Sequence, residues 1–251
     1  MPFPAFDHYT FRARLQPALV TLLPLALAVI AWTGPKQPWM SALWTLAGSA
    51  GATFLLAMAV RNRGKQIESD LWASWGGCPT TQLLRHRGPA NSVLRERWHK
   101  SLSRLLSITF PTVAEEAADT ARADEIYEGA TKALIAKRRA KATYPLLYNE
   151  NVFYGFCRNL YAMRTVGIVL STAGALTSFT AGWWFASRST ASFIPWVCAA
   201  ACCLLLWCWL ARINAAWVRV PAFAYAQRLF ETTEFSTRAK AATTTAAPSS
   251  Q

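Results

Sequence analysis

The chain has 251 residues, of which 53% are apolar, and it carries a formal net charge of +13. Apolar residues are concentrated at 17–60 and 165–211, and two long stretches contain no carboxylate: Asp7 to Glu68 and Glu150 to Glu231. A charge at the centre of a membrane helix costs roughly 2.5–3.5 kcal/mol, so this pattern argues against a soluble domain and favours membrane helices in these two blocks.

A membrane-spanning helix needs about 20 apolar residues at a rise of about 1.5 Å each. Four segments approach that length: 17–33, 39–60, 165–186 and 193–211. The first is short, contains Pro24, and could begin at Phe11. We expect it to be a retained helix rather than a signal peptide, because no small-x-small cleavage site ends it.

Short loops at 34–38 and 187–192 join these segments in pairs. The predicted fold is therefore all-α: a polytopic membrane protein with four transmembrane helices in two hairpins and a helical cytoplasmic domain between them. The predicted divisions are an N-terminal segment with the first hairpin, a basic cytoplasmic domain, the second hairpin, a cytoplasmic tail helix and a disordered tail: 1–60, 61–164, 165–211, 212–238 and 239–251.

Lysine and arginine predict the orientation. Each short loop has one basic residue, Lys36 or Arg188, whereas 61–164 and the tail contain many. The positive-inside rule then places both termini and the central region in the cytoplasm. An aromatic belt at the outer interface is predicted from tryptophans at the span ends: Trp32, Trp39, Trp183, Trp184 and Trp196.

The third predicted span is rich in small and hydroxyl residues. Small residues at four-residue spacing let helices approach closely. Three hydroxyl residues are candidates for a pore lining: Ser171, Thr172 and Ser178. The alternative is that these hydroxyls bond to carbonyls of their own helix. No ionisable residue lies deep in a span, which argues against a proton-coupled pump.

The central region begins with a break at 75–81 that contains two glycines and a proline. A basic segment follows, and from Asn91 onward the pattern predicts a helix with an apolar face: Leu94, Trp98, Leu102 and Leu105. Arginines beside a tryptophan suit a polyanion, and they equally suit anionic lipid headgroups. A second helix is predicted from the capping box that begins at Thr112.

The segment 148–160 is aromatic and rich in amides. Its aromatic residues are expected to pack at a junction, whereas Arg158 and Asn159 are candidates for recognition. Six cysteines show no metal-ligand spacing, so no metal or cofactor is predicted. The sequence contains none of the common catalytic motifs, which predicts that the chain is not an enzyme.

Two motifs carry a resemblance: Trp75-Gly76-Gly77-x-Pro79-Thr80-Thr81-x-x-Leu84-Arg85 and Asn149-Glu150-Asn151-x-x-Tyr154-Gly155-Phe156-x-Arg158-Asn159-Leu160. Set between two membrane hairpins, they resemble the Hailong-type membrane effectors of bacterial phage defence. The resemblance implies a homo-oligomeric channel in the bacterial inner membrane. It also implies a partner nucleotidyltransferase, whose short DNA oligomers hold the channel shut, and depolarisation of the host membrane when the oligomer is lost.

Under this hypothesis the ligand is a short single-stranded DNA oligomer or another nucleotide bound by basic and amide residues: Arg85, Arg87, Arg95, Arg97, Lys100, Arg158 and Asn159. Two other functions stay open. A small transporter would have a substrate site near the middle of the membrane. A non-conducting membrane scaffold would use its basic region to bind inner-membrane lipid or a protein.

Overall fold

The structure, a computed structural model, describes residues 8–33, 58–188 and 192–245, with side chains as far as residue 233. Every regular element in these ranges is helical, as the sequence predicts. The helices are α1 (His8–Thr33), α2 (58–74), α3 (Pro79–Leu84), α4 (Ser92–Leu106), α5 (Val113–Ala118), α6 (Thr120–Lys137), α7 (Pro145–Ala162), α8 (Arg164–Ala186), α9 (Ile194–Arg212) and α10 (Ala215–Thr245).

Three helices are long and apolar enough to cross a membrane: α1, α8 and α9. They coincide with the predicted first, third and fourth spans, although α1 begins at His8 rather than Pro17. The predicted second span, 39–60, lies outside the described residues apart from 58–60, which belong to α2. Three such helices are typical of a multi-pass membrane protein.

The chain divides into two compact units. The first unit comprises 1–69 and 152–218, and the second comprises 70–151 and 219–251. The second unit therefore combines most of the basic central region with the tail helix, which the sequence analysis treated separately.

In the first unit α1, α8 and α9 pack against one another. Glycines of α8 lie in contact with neighbouring helices. A Cβ on Gly167 would lie 2.2 Å from the Trp209 ring, and one on Gly174 would lie 2.8 Å from the Pro24 carbonyl oxygen. These contacts match the predicted use of small residues in the third span.

The second unit has a core of buried apolar side chains from five helices (α3, α4, α6, α7 and α10), including Trp98, Leu102, Tyr127, Leu134 and Phe230. The predicted apolar face of α4 is confirmed at Trp98 and Leu102, which are buried. Leu105 packs against the core, and Leu94 is exposed at the end of the helix.

The helix predicted from Thr112 is divided into α5 and α6. The predicted capping box is present, because Thr112 and Glu115 exchange side-chain and backbone hydrogen bonds. The division falls at Asp119, whose backbone leaves the helical region and whose side chain accepts a hydrogen bond from the Arg122 N–H at 2.9 Å. Asp119 thus ends α5 and caps α6.

Candidate functional site

The glycine–proline break of the first motif forms a turn whose backbone carbonyls accept hydrogen bonds from side chains of the next segment. Gly76 and Gly77 have φ angles of +86° and +128°, which side chains with a Cβ rarely adopt. Arg85 donates from Nη1 to the Gly76 carbonyl at 2.8 Å, and Gln82 donates to the Gly77 carbonyl at 2.6 Å. A Cβ on Gly77 would lie 3.0 Å from the Arg85 guanidinium.

Arg85 and Arg87, both predicted to bind ligand, form ion pairs within the second unit. Arg85 donates to both carboxylate oxygens of Asp124, from Nε at 2.7 Å and from Nη2 at 2.6 Å. Arg87 lies 2.9 Å from Glu116 and 3.2 Å from Asp124. The hydrogen bonds that Arg85 donates to Asp124 raise the pKa of Arg85. These two positive charges are therefore balanced by neighbouring carboxylates.

Glu116 is the buried centre of this network. It accepts hydrogen bonds from the Tyr127 hydroxyl at 2.7 Å and from the His86 backbone N–H at 2.8 Å. Burial alone would raise the pKa of Glu116, but these bonds and those from Arg87 lower it below its usual value. The network thus fixes the segment after α3 onto α5 and α6.

His99 lies beside the network in an aromatic stack. Its ring is stacked on Phe110 at 4.5 Å between centroids, and its Nε2 is 2.8 Å from the Leu84 carbonyl oxygen. Burial lowers the pKa of His99, and the neighbouring His86 and Arg95 add to this effect. A neutral imidazole that donates from Nε2 to Leu84 fits this geometry.

The other cations predicted to bind ligand lie on α4. Arg95 is only 9% exposed and donates to the Ala90 carbonyl at 3.3 Å. Arg97 and Lys100 are exposed, as is Arg104 one turn further along. Spacings of three and four residues place Arg97, Lys100 and Arg104 on one side of the helix. We refer to these three residues as the α4 basic face.

Arg158 and Asn159, the ligand candidates of the second motif, make contacts inside the first unit. Arg158 pairs with Glu68 at 2.6 Å, and Tyr154 donates to the same carboxylate at 2.9 Å. Burial works against the charged form of Arg158, but Glu68 holds its pKa above the usual value. Asn159 is buried and donates to the Ala13 carbonyl at 2.6 Å. The structure therefore places both residues at a packed junction.

The apolar helices contain two π-helical turns, one in α1 and one at the end of α9. A side chain of α7 donates a hydrogen bond to a carbonyl of the first turn, and a side chain of α8 donates to carbonyls of the second. The first turn, Phe11–Leu15, contains the Ala13 carbonyl that accepts from Asn159. The second turn, Cys208–Arg212, ends α9, and Arg164 donates to the Trp209 and Leu210 carbonyls at 3.0 and 3.2 Å. A cation at a helix C-terminus also interacts favourably with the helix dipole. Arg164 was not predicted as a functional residue, although a lone cation at the start of a span is visible in the sequence.

The three candidate pore residues lie on different sides of α8. Ser171 and Ser178 are fully buried within the first unit, whereas Thr172 is exposed. Thr172 donates to the Ile168 carbonyl at 2.9 Å, as the alternative interpretation predicted. Adjacent residues of a helix lie about 100° apart, so Thr172 and Ser171 do not face one common channel.

The two ends of the membrane helices differ in chemistry. At one end Trp32 lies 6.4 Å from Trp184, and Arg188 packs over the Trp184 ring at 3.4 Å. The opposite end contains basic residues of all three helices: Arg12, Arg14, Arg164 and Arg212. A tryptophan-rich end and an arginine-rich end are the distribution that the predicted orientation requires.

The second unit also contains a groove of about 380 Å³ that the sequence analysis did not anticipate. It lies between the start of α4 and the α10 helix, and its lining includes Asn91, Trp98, Arg219, Phe223 and Gln227. Its residues come from distant parts of the chain, so no local pattern indicated it.

Comparisons with protein-family models, with curated proteins and with solved structures found no match to this chain.

Proposed function

We propose that this chain is a membrane effector of bacterial phage defence that forms an oligomeric, ion-conducting pore in the inner membrane. A nucleotide or short DNA oligomer bound to the cytoplasmic basic region gates the pore, and activation depolarises the host membrane. A nucleotidyltransferase is the proposed source of the ligand. The proposal combines the resemblance of the two motifs with the chemistry of the described residues.

The observation that carries the proposal is the α4 basic face. Arg85 and Arg87 are paired with Glu116 and Asp124. Arg97, Lys100 and Arg104 are exposed along one side of α4. A row of exposed cations on a helix suits a chain of phosphates. Within the predicted ligand set, Arg97 and Lys100 therefore have the strongest support, and Arg104 joins them.

The outer face of α8 is the best-supported wall for a pore between copies of the chain. Thr172 lies on this face together with exposed apolar residues that include Leu176, Phe179 and Trp183. A wall of this kind is largely apolar, and an apolar constriction gates by excluding water. Ser171 and Ser178 would join the wall only if α8 rotated.

Ion flux through liposomes tests conduction. The purified full-length chain, reconstituted with a potassium gradient and a potential-sensitive dye, is expected to dissipate the potential, and a short single-stranded DNA oligomer is expected to alter the rate. Empty liposomes give the baseline. An intact potential with and without DNA would contradict the pore proposal and favour the membrane scaffold, while solute uptake without ion leak would favour the transporter.

Charge removal tests the ligand part. Replacing Lys100 and Arg104 with glutamine is expected to weaken binding of the DNA oligomer at least tenfold at low salt and to flatten the salt dependence, because fewer counterions are released. Lys132→Gln is a matched control, since Lys132 is an exposed cation already paired with Glu128 at 3.3 Å. Equal losses in both variants would point to nonspecific attraction.

A further inference from the structure

The groove in the second unit has the dimensions of a small-molecule site. Its volume of about 380 Å³ falls at the lower end of the range of about 300–1,000 Å³ that is typical of ligand pockets. Trp98 lines the groove, is 4% exposed, and packs against the Phe230 ring at 5.3 Å between centroids. The core of the second unit therefore holds Trp98 in place.

The groove carries positive charge and no carboxylate. Among the residues that line it, Arg219 is the only charged side chain. Arg219 is exposed, packs over the Phe223 ring at 5.1 Å, and makes no ion pair with any residue that the structure describes. An anion that enters the groove thus meets a guanidinium whose charge is not already neutralised.

A second cation, Arg95, does not line the groove but contacts a residue that does. Arg95 donates to the carbonyl of Ala90, a lining residue, and its Nε has no hydrogen-bond partner among the described residues. Arg95 is nine-tenths buried, and a buried charge without a counter-ion is costly.

The remaining lining suits a flat ring. Phe223 and Trp98 provide apolar surface, and the Gln227 and Asn91 amides supply polar groups at the edges. Aromatic rings and guanidinium groups stack on nucleobases regardless of base identity, and amides bond to base edges. The combination of a flat apolar surface, one guanidinium and two amides matches a planar ring that carries a phosphate.

We propose that this groove binds a single nucleotide unit, with its base against Trp98 and Phe223 and its phosphate at Arg219. The inference rests on the proposed function and deepens it: the groove holds one terminal nucleotide, and the α4 basic face holds the following phosphates. Arg219 belongs to α10, the helix that follows the last membrane span in the chain. Ligand at Arg219 therefore engages the segment that leads directly from that span.

Binding of AMP to the purified full-length protein in an uncharged detergent tests the inference by calorimetry. AMP is expected to bind. Adenosine, which lacks the phosphate, and inorganic phosphate, which lacks the base, should each bind at least tenfold more weakly. Arg219→Gln is expected to weaken AMP binding at least tenfold, and Phe223→Leu several-fold. Because the Arg219 side chain is exposed, its replacement should leave the thermal unfolding temperature unchanged.

Arg228→Gln is the matched control. Arg228 lies on the same helix but is paired with Glu231 at 2.6 Å, so AMP affinity should be unchanged. Undiminished AMP binding in Arg219→Gln would overturn the proposal, as would absence of AMP binding at millimolar concentration. Preferential binding of dodecyl phosphate, abolished by Arg219→Gln, would assign the groove to an anionic lipid and would also overturn it.

Failure of this inference is distinguishable from failure of the proposed function. If AMP does not bind but DNA oligomers still alter ion flux and still depend on Lys100 and Arg104, the pore proposal stands and the groove assignment is wrong. If AMP binds through Arg219 but no ion flux occurs, the groove assignment stands without the pore.

Discussion

Asn159 compensates for a proline that lies far away in the sequence. The Ala13 carbonyl would ordinarily accept a hydrogen bond from the residue four positions later, but that residue is Pro17, which has no N–H. The Asn159 amide supplies the missing donor at 2.6 Å. Asn159 therefore has a structural explanation that is independent of any ligand.

Replacement of Asn159 by alanine is expected to destabilise the protein by about 1–3 kcal/mol, because a buried carbonyl would lose its partner. Thermal unfolding in detergent measures the effect. Asn149→Ala, at an exposed position of the same helix, should be nearly neutral. Combining Asn159→Ala with Pro17→Ala should recover part of the loss, because residue 17 could then donate; strictly additive losses would contradict this explanation.

Both the backbone conformation at position 77 and the nearby Arg85 side chain favour glycine there. Its φ of +128° is one that L side chains rarely adopt, and an added Cβ would lie 3.0 Å from the Arg85 guanidinium, which would have to shift. Gly77→Ala is expected to cost about 1–3 kcal/mol in thermal unfolding experiments. Gly129→Ala, in a helix with open space around the added methyl, should instead stabilise by about 0.5–1 kcal/mol. The interpretation fails if both substitutions change stability in the same direction.

His99 predicts a pH-dependent stability. Its folded-state pKa lies below the ordinary value of 6.5, so acidification protonates the unfolded chain first and favours unfolding. Stability should therefore fall as the pH drops from about 7.5 through 6.5 and level off below the folded-state pKa. Unfolding temperatures at pH 7.5 and 5.5 should differ less in His99→Gln than in the wild type. An unchanged pH dependence in His99→Gln would rule out His99 as its origin.

At the level of helices, local patterns predicted the elements correctly, whereas contacts between residues distant in sequence could not be predicted. The lengths of the hydrophobic segments predicted the bounds of α8 and α9 closely. Hydrophobic periodicity predicted the buried face of α4, and the capping residues predicted the helix start at Thr112. The ion pairs of Arg85 and Arg87 join residues about 30–40 positions apart, and a single sequence offers no rule for pairing them. The sequence therefore indicated that Arg85 and Arg87 are charged, but it did not indicate which carboxylates they pair with.

The packing of α8 yields a test at the same scale. Gly174 faces the Pro24 carbonyl and Cys202, whereas the adjacent Ala173 is exposed. Gly174→Leu is expected to force α1 and α9 away and to cost about 1–3 kcal/mol or more. Ala173→Leu adds a larger side chain on the outer face and should be nearly neutral. Equal unfolding temperatures for the two variants would show that α8 packs by a different face.

For the whole molecule, the separation of basic and aromatic ends gives a testable topology. With the arginine-rich end in the cytoplasm, a green fluorescent protein fused to the C-terminus should fluoresce, and an alkaline phosphatase fusion at the same place should be inactive. A cysteine introduced next to Arg188 should react with an impermeant thiol reagent from the periplasmic side. The opposite result in both assays would invert the orientation.

The bond between Asn159 and Ala13 spans 146 positions of the chain, and it constrains the order of assembly. When α1 leaves the ribosome, the donor for its interrupted turn has not yet been synthesised. The first helix must therefore enter the membrane with an incomplete turn and mature only after α7 has emerged. Chains truncated before residue 159 should consequently be recognised as incomplete by the quality-control proteases of the membrane, whereas chains truncated within the final tail should escape them.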